Sequence, residues 1–287
     1  MATRGCHHAR VSPQDDAAGR VAQVFDAVAD VYDQSGVAFF EPIAQGLVEL
    51  LRPAPGEHVV DIGCGRGAVT FPMARAVGPT GRVTAVDIAP GMVEHTRRRA
   101  EELGCAQVRT ALVADADLGL PEHSADVVAS SLVLFFAPDP AATLRSWLRL
   151  LVPGGRIGIT TFGDPDPTWK QIDDLFRPYL PAAMLDARTT GAAGAFNSDQ
   201  GVEDLMISCG ATEVWTERRR LPVHFADAEQ WRRFSTGTGQ RAMWGFVPED
   251  HRETLFEQAA LLLEHNRTDA GDIVLLQDLR YTLATNP

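Results

Sequence analysis

Short apolar runs alternate along the first half of the chain with stretches in which apolar residues recur at helical spacing. A short unbroken apolar run is typical of a strand that is buried on both faces of a parallel sheet. Alternation of such strands with helices favours an α/β fold with a mostly parallel sheet. The strands are predicted at residues 58–62, 81–87, 108–113, 126–131 and 156–162, and the helices between them at 71–77, 92–103 and 143–151.

Two further helices are predicted before the first strand. Apolar residues recur at helical spacing through residues 17–32 and 39–51, and the second stretch stops before Pro53. Residues 1–16 show no such pattern, and we expect them to form a flexible tail. At 287 residues the chain can bury a substantial core. We therefore expect residues 17–287 to form a single domain.

The second half of the chain contains an insertion. Residues 211–225 and 273–283 are predicted as the sixth and last strands, the sixth being broken by Pro222. The residues between them are far too many for a hairpin loop. We expect residues 226–270 to form a mobile helical lid, with helices at 229–234 and 249–263.

A glycine-rich turn follows the first strand. Gly63, Gly65 and Gly67 allow the backbone to turn tightly and to approach a ligand, and a helix begins behind them. Strand, glycine turn and helix N-terminus together form a nucleotide-binding corner. Gly63, Gly65 and Ala68 also satisfy the dinucleotide pattern G-x-G-x-x-G/A, with Asp87 at the expected distance. Asp61, however, would crowd a pyrophosphate, whereas it can hold an ammonium group.

The turn resembles motif I of the class I S-adenosylmethionine (SAM) methyltransferases, D-x-G-x-G-x-G, which Asp61 and the three glycines match in full. Residues 25–33 resemble the F-x-x-x-A-x-x-Y-D segment of the ubiquinone/menaquinone-type methyltransferases, which caps the SAM pocket. Residues 114–121 and 150–158 resemble that family's D-A-x-x-L-P loop and L-x-P-G-G turn. The resemblance implies a Rossmann-like fold, a seven-stranded sheet with helices on both faces, and SAM as cofactor.

The resemblance also implies roles for individual residues. The acid that ends the second strand would accept the ribose hydroxyls, and the next residue would pack against adenine. An acid in the D-A-x-x-L-P loop would accept the adenine amino group, beside a backbone amide. The expected cofactor-binding residues are Asp61, Gly63, Gly65, Gly67, Asp87, Ile88, Asp115, Ala116, Ser130 and Tyr32.

The acceptor and any catalytic base are less well specified. A hydroxyl acceptor needs a base near the methyl group, whereas a nucleophilic carbon or nitrogen does not. His224, near the pocket mouth, and Tyr32 are the candidate bases. Neither the N-P-P-Y tetrad of amino-methyltransferases nor the magnesium-binding acids of the catechol group are present, so no metal is expected. The candidate substrate-binding residues are Trp231, Arg241, Trp244 and Phe246, although these rings can also be the insertion's own core.

Composition narrows the possible partners. A net charge of −12 argues against binding nucleic acid. The four cysteines are widely spaced and suggest neither a zinc site nor a disulfide framework, which favours the cytoplasm. No apolar run is long enough to span a membrane. A small-molecule acceptor is the expected partner, and the choice between monomer and homodimer stays open.

Together these features predict an enzyme that transfers a methyl group from SAM to a small aromatic or polycyclic acceptor in specialised metabolism. Two alternatives remain at this stage. One is a SAM-binding relative that catalyses another step, such as a cyclisation. The other is a nicotinamide-dependent oxidoreductase, which the glycine pattern alone permits.

Overall fold

A computed structural model describes residues 13–113, 118–182 and 191–287. The helices α1 to α10 are, in order, Pro13–Asp26, Phe40–Leu51, Thr70–Val77, Pro90–Glu102, Pro140–Arg149, Pro167–Phe176, Asp199–Ser208, Ala228–Thr236, Arg241–Trp244 and Glu249–Glu264. The strands β1 to β7 are His58–Ile62, Arg82–Asp87, Val108–Leu112, Ala125–Ser131, Leu151–Pro165, Thr212–Phe225 and Ile273–Thr285. Short 3-10 helices cover Leu134–Phe136, Arg177–Tyr179 and Gly191–Asn197.

The strands form one seven-stranded sheet in the order β3-β2-β1-β4-β5-β7-β6. Every neighbouring pair from β3 to β5 is parallel, and β7 is antiparallel to both of its neighbours. The strand order reverses between β1 and β4. In open α/β sheets, ligands bind in the crevice outside the carboxyl ends of the strands at such a reversal. The predicted α/β fold is confirmed.

Successive side chains of β1 pack alternately into the two hydrophobic cores, one on each face of the sheet. Val59 is fully buried in a cluster with residues of α2 and α3, and Val60 is fully buried in a cluster with residues of α5 and α7. Successive side chains of a strand point to opposite faces, and both faces here are covered by helices. This explains why β1 reads as an unbroken apolar run.

The sixth strand differs from its prediction. Pro222 does not break β6, because it is paired with Leu276 of β7 within a continuous antiparallel register. The strand lies at the edge of the sheet, so one of its sides has no partner strand. Proline is tolerated on edge strands because the side of the strand without a partner needs no N–H group for a ladder hydrogen bond.

The insertion, residues 226–270, is packed into the main core. Trp231 is fully buried, Trp244 is 5% exposed, and both belong to the hydrophobic cluster that includes α2 and β7. Leu255 and Leu263 of α10 are buried in the same cluster. The segment therefore does not have the loosely attached form expected of a mobile lid, because moving it would expose core side chains to water.

The N-terminal region also differs in its boundaries. Helix α1 begins at Pro13, inside the segment expected to be a tail, and ends at Asp26. Residues 27–33 form turns rather than a continuation of the helix. Asp33 has φ 57°, in the left-handed region that Asp tolerates better than most residues. The helical path is thus interrupted between α1 and α2, and α1 packs against α4.

Candidate active site

The glycine turn, residues 63–67, connects β1 to the segment that leads into α3. Gly63, Gly65 and Gly67 have φ values of 72°, 52° and 89°, which side chains other than glycine's rarely allow. A Cβ atom on Gly63 would collide with Val133, and one on Gly67 with Phe71. A Cβ atom on Gly65 would meet nothing within 4 Å. Two of the glycines are therefore required by packing, and Gly65 borders open space where a ligand can approach.

Hydrogen bonds from the second strand and from α4 hold this turn in place. The N–H groups of Gly63 and Cys64 both donate to the Val86 carbonyl, at 2.8 and 2.9 Å. The Thr96 hydroxyl donates to the Gly65 carbonyl at 2.7 Å. The turn is thus a rigid corner.

Asp61 is a buried carboxylate behind the turn. It is 1% exposed and accepts a 2.5 Å hydrogen bond from the Thr70 hydroxyl. Burial raises its pKa to about 7, because the charged form is poorly solvated there. Among the described residues, no basic side chain forms an ion pair with it. A carboxylate in this setting is suited to a cationic ligand group, such as the ammonium group of SAM.

Asp87 braces the turn from the end of β2. Its Oδ2 accepts from the Gly65 N–H and its Oδ1 from the Ala89 N–H, both at 2.9 Å. Burial raises its pKa. Each carboxylate oxygen can accept more than one hydrogen bond, so contact with ribose hydroxyls remains open to it. Ile88, the predicted adenine contact, is partly buried against the hydrophobic cluster of α5 and α7.

Ser130 occupies a different position from the one predicted. It is 1% exposed, and its hydroxyl donates to the Ile62 carbonyl at 2.9 Å. The side chain therefore ties β4 to β1 and does not face the open side of the glycine turn. Asp115 and Ala116, the predicted adenine contacts, lie outside the described residues.

The N-terminal segment, residues 25–33, lies over the glycine turn. Arg66 donates from Nη1 to the carbonyls of Ala29 and Asp30, at 3.0 and 3.1 Å. The Asp26 carboxylate accepts from the Gly91 N–H at 2.7 Å, at the start of α4. These contacts fasten the segment to the corner, as the resemblance to a cap over the cofactor pocket implies.

The ring of Tyr32, in the same segment, stacks on the ring of Phe40, and the two centroids lie 4.7 Å apart. Burial, with the carboxylates of Asp33 and Asp87 nearby, raises the pKa of the Tyr32 phenol well above its usual value. Such a phenol stays neutral near pH 7. It can donate a hydrogen bond, but it is unsuited to the role of general base that the sequence suggested.

Comparison with known proteins agrees with this corner. Residues 60–159 match the family model described as a methyltransferase domain. The chain is 36% identical over 242 residues to nocamycin O-methyltransferase from Saccharothrix syringae, covering 80% of this chain and 85% of the relative. It is 40% identical over 168 residues to aklanonic acid methyltransferase from Streptomyces sp. strain C5, covering 58% and 76% respectively.

The chain belongs to the class I SAM-dependent methyltransferases.

The resemblance seen in the sequence, the enzyme class and SAM as cofactor are thereby confirmed, and the nicotinamide-dependent alternative is wrong. A solved structure of phosphoethanolamine N-methyltransferase 2 from Haemonchus contortus superimposes with a TM-score of 0.60 at 16% identity, covering 98% of this chain and 61% of that one. At that identity the likeness concerns the fold alone.

The methyltransferase has a row of aromatic side chains along the carboxyl edge of its sheet. Phe25 contacts both Tyr32 and Phe136, with ring centroids 6.0 and 5.4 Å away. Phe136 contacts Phe135 at 4.7 Å. These distances are typical of favourable aromatic pairs. The aromatic row consists of Phe25, Tyr32, Phe40, Phe135, Phe136, Phe162 and Phe196. At Phe40 it meets the buried core through Phe39, 5.0 Å away.

Most of this row could not be predicted from the sequence. Phe25 belongs to the N-terminal segment, Phe136 follows β4, Phe162 lies in β5 and Phe196 belongs to the 3-10 helix before α7. No periodic pattern connects such distant positions. Phe136 and Phe162 are 40% and 38% exposed, so the row presents ring surface to the solvent.

The predicted substrate residues of the insertion do not join this row. The rings of Trp231 and Trp244 contact each other in a tilted arrangement within the core, 6.3 Å apart, and Trp244 Nε1 donates to the Ser235 hydroxyl. Their role is packing, the alternative that the sequence analysis left open. Phe246 is exposed, and Arg241 lines a surface cleft with residues of α1.

His224 also lies apart from the corner. It belongs to the edge strand, and four strand spacings of about 4.8 Å, roughly 19 Å in all, separate that strand from β1. Val223 and Phe225 are buried, so alternation directs His224 to the other face, where it is solvent-exposed. Its Nδ1 lies 2.6 Å from the Asp272 carboxylate. This placement does not support a catalytic role.

The described part of the chain contains no group of three or more His, Cys, Asp or Glu side chains arranged to hold a metal ion. None of its helices has both the length and the apolar character needed to cross a membrane.

Proposed function

We propose that this methyltransferase transfers the methyl group of SAM to a hydroxyl oxygen of a small, flat, multi-ring aromatic metabolite. The aromatic row beside the glycine turn is the observation that carries the proposal. Rings stack favourably on flat aromatic ligands, and such pockets are mostly apolar with few polar groups. The relative named nocamycin O-methyltransferase supports oxygen as the methylated atom.

The rigid corner would hold the cofactor. Asp61 would pair with the ammonium group, Asp87 would accept from the ribose hydroxyls, and Ile88 would pack against adenine. Gly65 leaves room for the cofactor to approach the backbone. Asp115 and Ala116 complete the proposed set through the sequence resemblance. When bound, SAM supplies an electrophilic methyl group on a sulfonium sulfur.

The N-terminal segment would exclude water from the reacting atoms. Its fastening by Arg66 places Phe25 and Tyr32 next to the corner. In-line methyl transfer gains mostly from orientation and from a dry site. The neutral Tyr32 phenol would donate a hydrogen bond to the acceptor or cofactor and would not remove a proton.

Asp33 is our candidate for the general base. Although Asp33 is exposed at the surface of the segment, partial desolvation of its carboxylate outweighs the nearby Arg66 cation and raises its pKa to about 6, so it is largely ionised at pH 7 yet basic enough to accept a proton. Asp26 and Asp30, the other acids of the segment, already bond to Gly91 and His95. Within the described residues, no side chain donates a hydrogen bond to Asp33. Its carboxylate is therefore available to an acceptor hydroxyl.

The cellular setting follows from the same features. We propose that the enzyme works in the cytoplasm, without a nucleic-acid or membrane partner. Cys64, Cys105 and Cys209 are free thiols, as expected in a reducing compartment. The net charge of −12 disfavours binding to phosphate backbones.

Two matched acceptors test the proposal. Quinizarin (1,4-dihydroxyanthraquinone) is flat, has three fused rings and carries free hydroxyls, whereas its dimethyl ether has the same rings without them. We expect the protein to transfer labelled methyl from SAM to quinizarin and not to the ether. Equal labelling of both compounds would show that the methyl group goes to carbon, and labelling of neither would contradict the acceptor class.

A further inference from the structure

Arg280 is a buried cation in β7, 1% exposed. Its Nε donates to the Asp199 carboxylate at 2.5 Å. Its Nη1 donates to the carbonyl of Phe162 at 2.5 Å and to that of Phe196 at 2.9 Å, and its Nη2 donates to the Asn197 carbonyl at 3.3 Å. One guanidinium group therefore joins β5, the 3-10 helix Gly191–Asn197 and the start of α7.

Two of these carbonyls belong to members of the aromatic row. The rings of Phe162 and Phe196 both contact Phe135, at centroid distances of 5.5 and 6.3 Å. Phe162 presents ring surface to the solvent. Because a single Nη1 atom bonds both backbones, Arg280 fixes the distance between the two residues. The spacing of the rings in this half of the row depends on that distance.

The need to neutralise a buried positive charge does not explain why Arg280 donates to three backbone carbonyls. Asp199 balances the guanidinium, and any buried cation at this position would form that ion pair. The three carbonyl contacts need several N–H donors in a planar fork, which arginine has and lysine lacks. Leu279 and Tyr281, the neighbours of Arg280 in β7, point to the other face of the sheet and take no part in these contacts.

We propose that Arg280 is a positioning residue for the acceptor site: it sets the spacing of Phe162 and Phe196 and thereby the affinity for a flat aromatic acceptor. The proposal rests on the function proposed above, in which the aromatic row binds the acceptor. It assigns Arg280 no contact with the acceptor or with the cofactor.

Arg218 provides a matched control. It lies on the neighbouring strand β6 and forms ion pairs with Asp164 and Asp278, and a longer one with Asp199 at 3.6 Å. Arg280 also lies 3.7 Å from Asp164, so the two arginines share Asp164 and Asp199 as acidic partners. In the described structure, however, Arg218 donates to neither phenylalanine carbonyl. Replacing it removes the same charge from the same cluster without releasing the aromatic row.

The test uses the full chain with R280Q, R280K and R218Q variants. Quinizarin binding is followed by its fluorescence in the presence of S-adenosylhomocysteine, and SAM binding by calorimetry. We expect R280Q and R280K to raise the Kd for quinizarin about tenfold, because the released rings must be ordered again when the acceptor binds, with SAM affinity changed by less than about threefold. R218Q should leave the quinizarin Kd within about threefold of wild type.

Other results would overturn the proposal. If R280K binds quinizarin as wild type does, a buried positive charge is enough and the fork has no role. An equal loss of affinity in R218Q and R280Q would likewise assign the effect to charge balance. R280K retains the cation and serves as the deciding variant if R280Q does not fold. Failure of the wild-type protein to bind quinizarin would contradict the acceptor class itself, and this proposal with it.

Discussion

At the scale of single residues, the site depends on two carboxylates, Asp61 and Asp87, whose burial makes their charged forms less favourable than in water. Asp61 has its pKa raised to about 7 by burial, and burial raises the pKa of Asp87 as well. Binding sites commonly hold groups whose pKa values are perturbed, because burial and ligand charge are arranged there together. Both acids lie beside the glycine turn, at the carboxyl ends of adjacent strands.

Asp61 should make the stability of the ligand-free protein depend on pH. Its folded-state pKa lies above its value in an unfolded chain, so the folded state binds more protons between about pH 4 and pH 7. Its contribution is therefore fully present at low pH and is lost as pH rises through about 7. In urea unfolding at pH 5 and pH 8, D61N should remove this part of the difference, at most about 3 kcal/mol, because about two pH units separate pH 5 from the folded-state pKa.

SAM should reverse the effect of Asp61, because its ammonium group favours the ionised carboxylate. We expect SAM to stabilise wild-type protein more at pH 8 than at pH 5, and to stabilise D61N little at either pH. A variant that binds SAM as tightly as wild type at pH 8 would rule out the ion pair.

Asp87 has two functions that substitutions can separate. D87A removes the acceptor of the Gly65 and Ala89 N–H groups as well as the proposed ribose contact. We expect SAM affinity, measured by calorimetry, to fall about tenfold to a hundredfold, since a hydrogen bond to a charged group contributes about 1.5–3 kcal/mol. D87N keeps one acceptor oxygen and should lose less. Unchanged affinity in folded D87A would refute the ribose contact.

Asp33 should determine the acidic limb of the pH–rate profile. A base with a pKa of about 6 is active only when deprotonated, so kcat/KM should fall as pH drops below that value. D33N should lower kcat by about a hundredfold or more and flatten this limb. A D33N enzyme with the wild-type rate and profile would show that the acceptor needs no base from this side chain.

At the scale of elements, the N-terminal segment and the insertion have different roles. Contacts with Arg66 and with the start of α4 attach the segment to the cofactor corner. The insertion supplies core packing, and it contacts the residues that follow the N-terminal segment: Phe234 contacts Phe39, and Gln230 donates to the Ser35 carbonyl at 3.1 Å. The insertion thus supports the chain that connects the N-terminal segment to α2.

This assignment predicts that Trp244 matters for stability and His224 for neither stability nor rate. W244A removes a buried ring that contacts Phe176 and Trp231, and should cost about 3–5 kcal/mol of unfolding free energy in urea. H224A removes an exposed side chain, so its methyl-transfer rate should match wild type. A slow H224A enzyme with normal SAM affinity would restore histidine as a candidate base.

At the scale of the whole molecule, the features that the sequence predicted well are local ones. The apolar run of β1, the glycines after it and Asp87 at the end of β2 lie close together in sequence, and their geometry follows from strand and turn chemistry. Helix α3, between β1 and β2, could be predicted in the same way, because Pro72 falls in its first turn, where proline is tolerated.

Features that depend on contacts between distant segments could not be predicted from the sequence. The aromatic row combines Phe25, Phe136 and Phe196, which lie far apart along the chain. The paired edge strand around Pro222 depends on the strand order. Arg280 did carry a signal, since a cation within an apolar strand needs buried partners, but the sequence alone does not say which.

The structure of a ternary complex with S-adenosylhomocysteine and quinizarin would test the central claim most directly. We predict the ammonium group at Asp61, the ribose at Asp87, and the quinizarin rings stacked on Phe25 and Phe136. A hydroxyl oxygen should face the sulfur with space for one methyl group, as in-line transfer requires. Quinizarin bound instead at the insertion, around Phe246 or Arg241, would contradict the account.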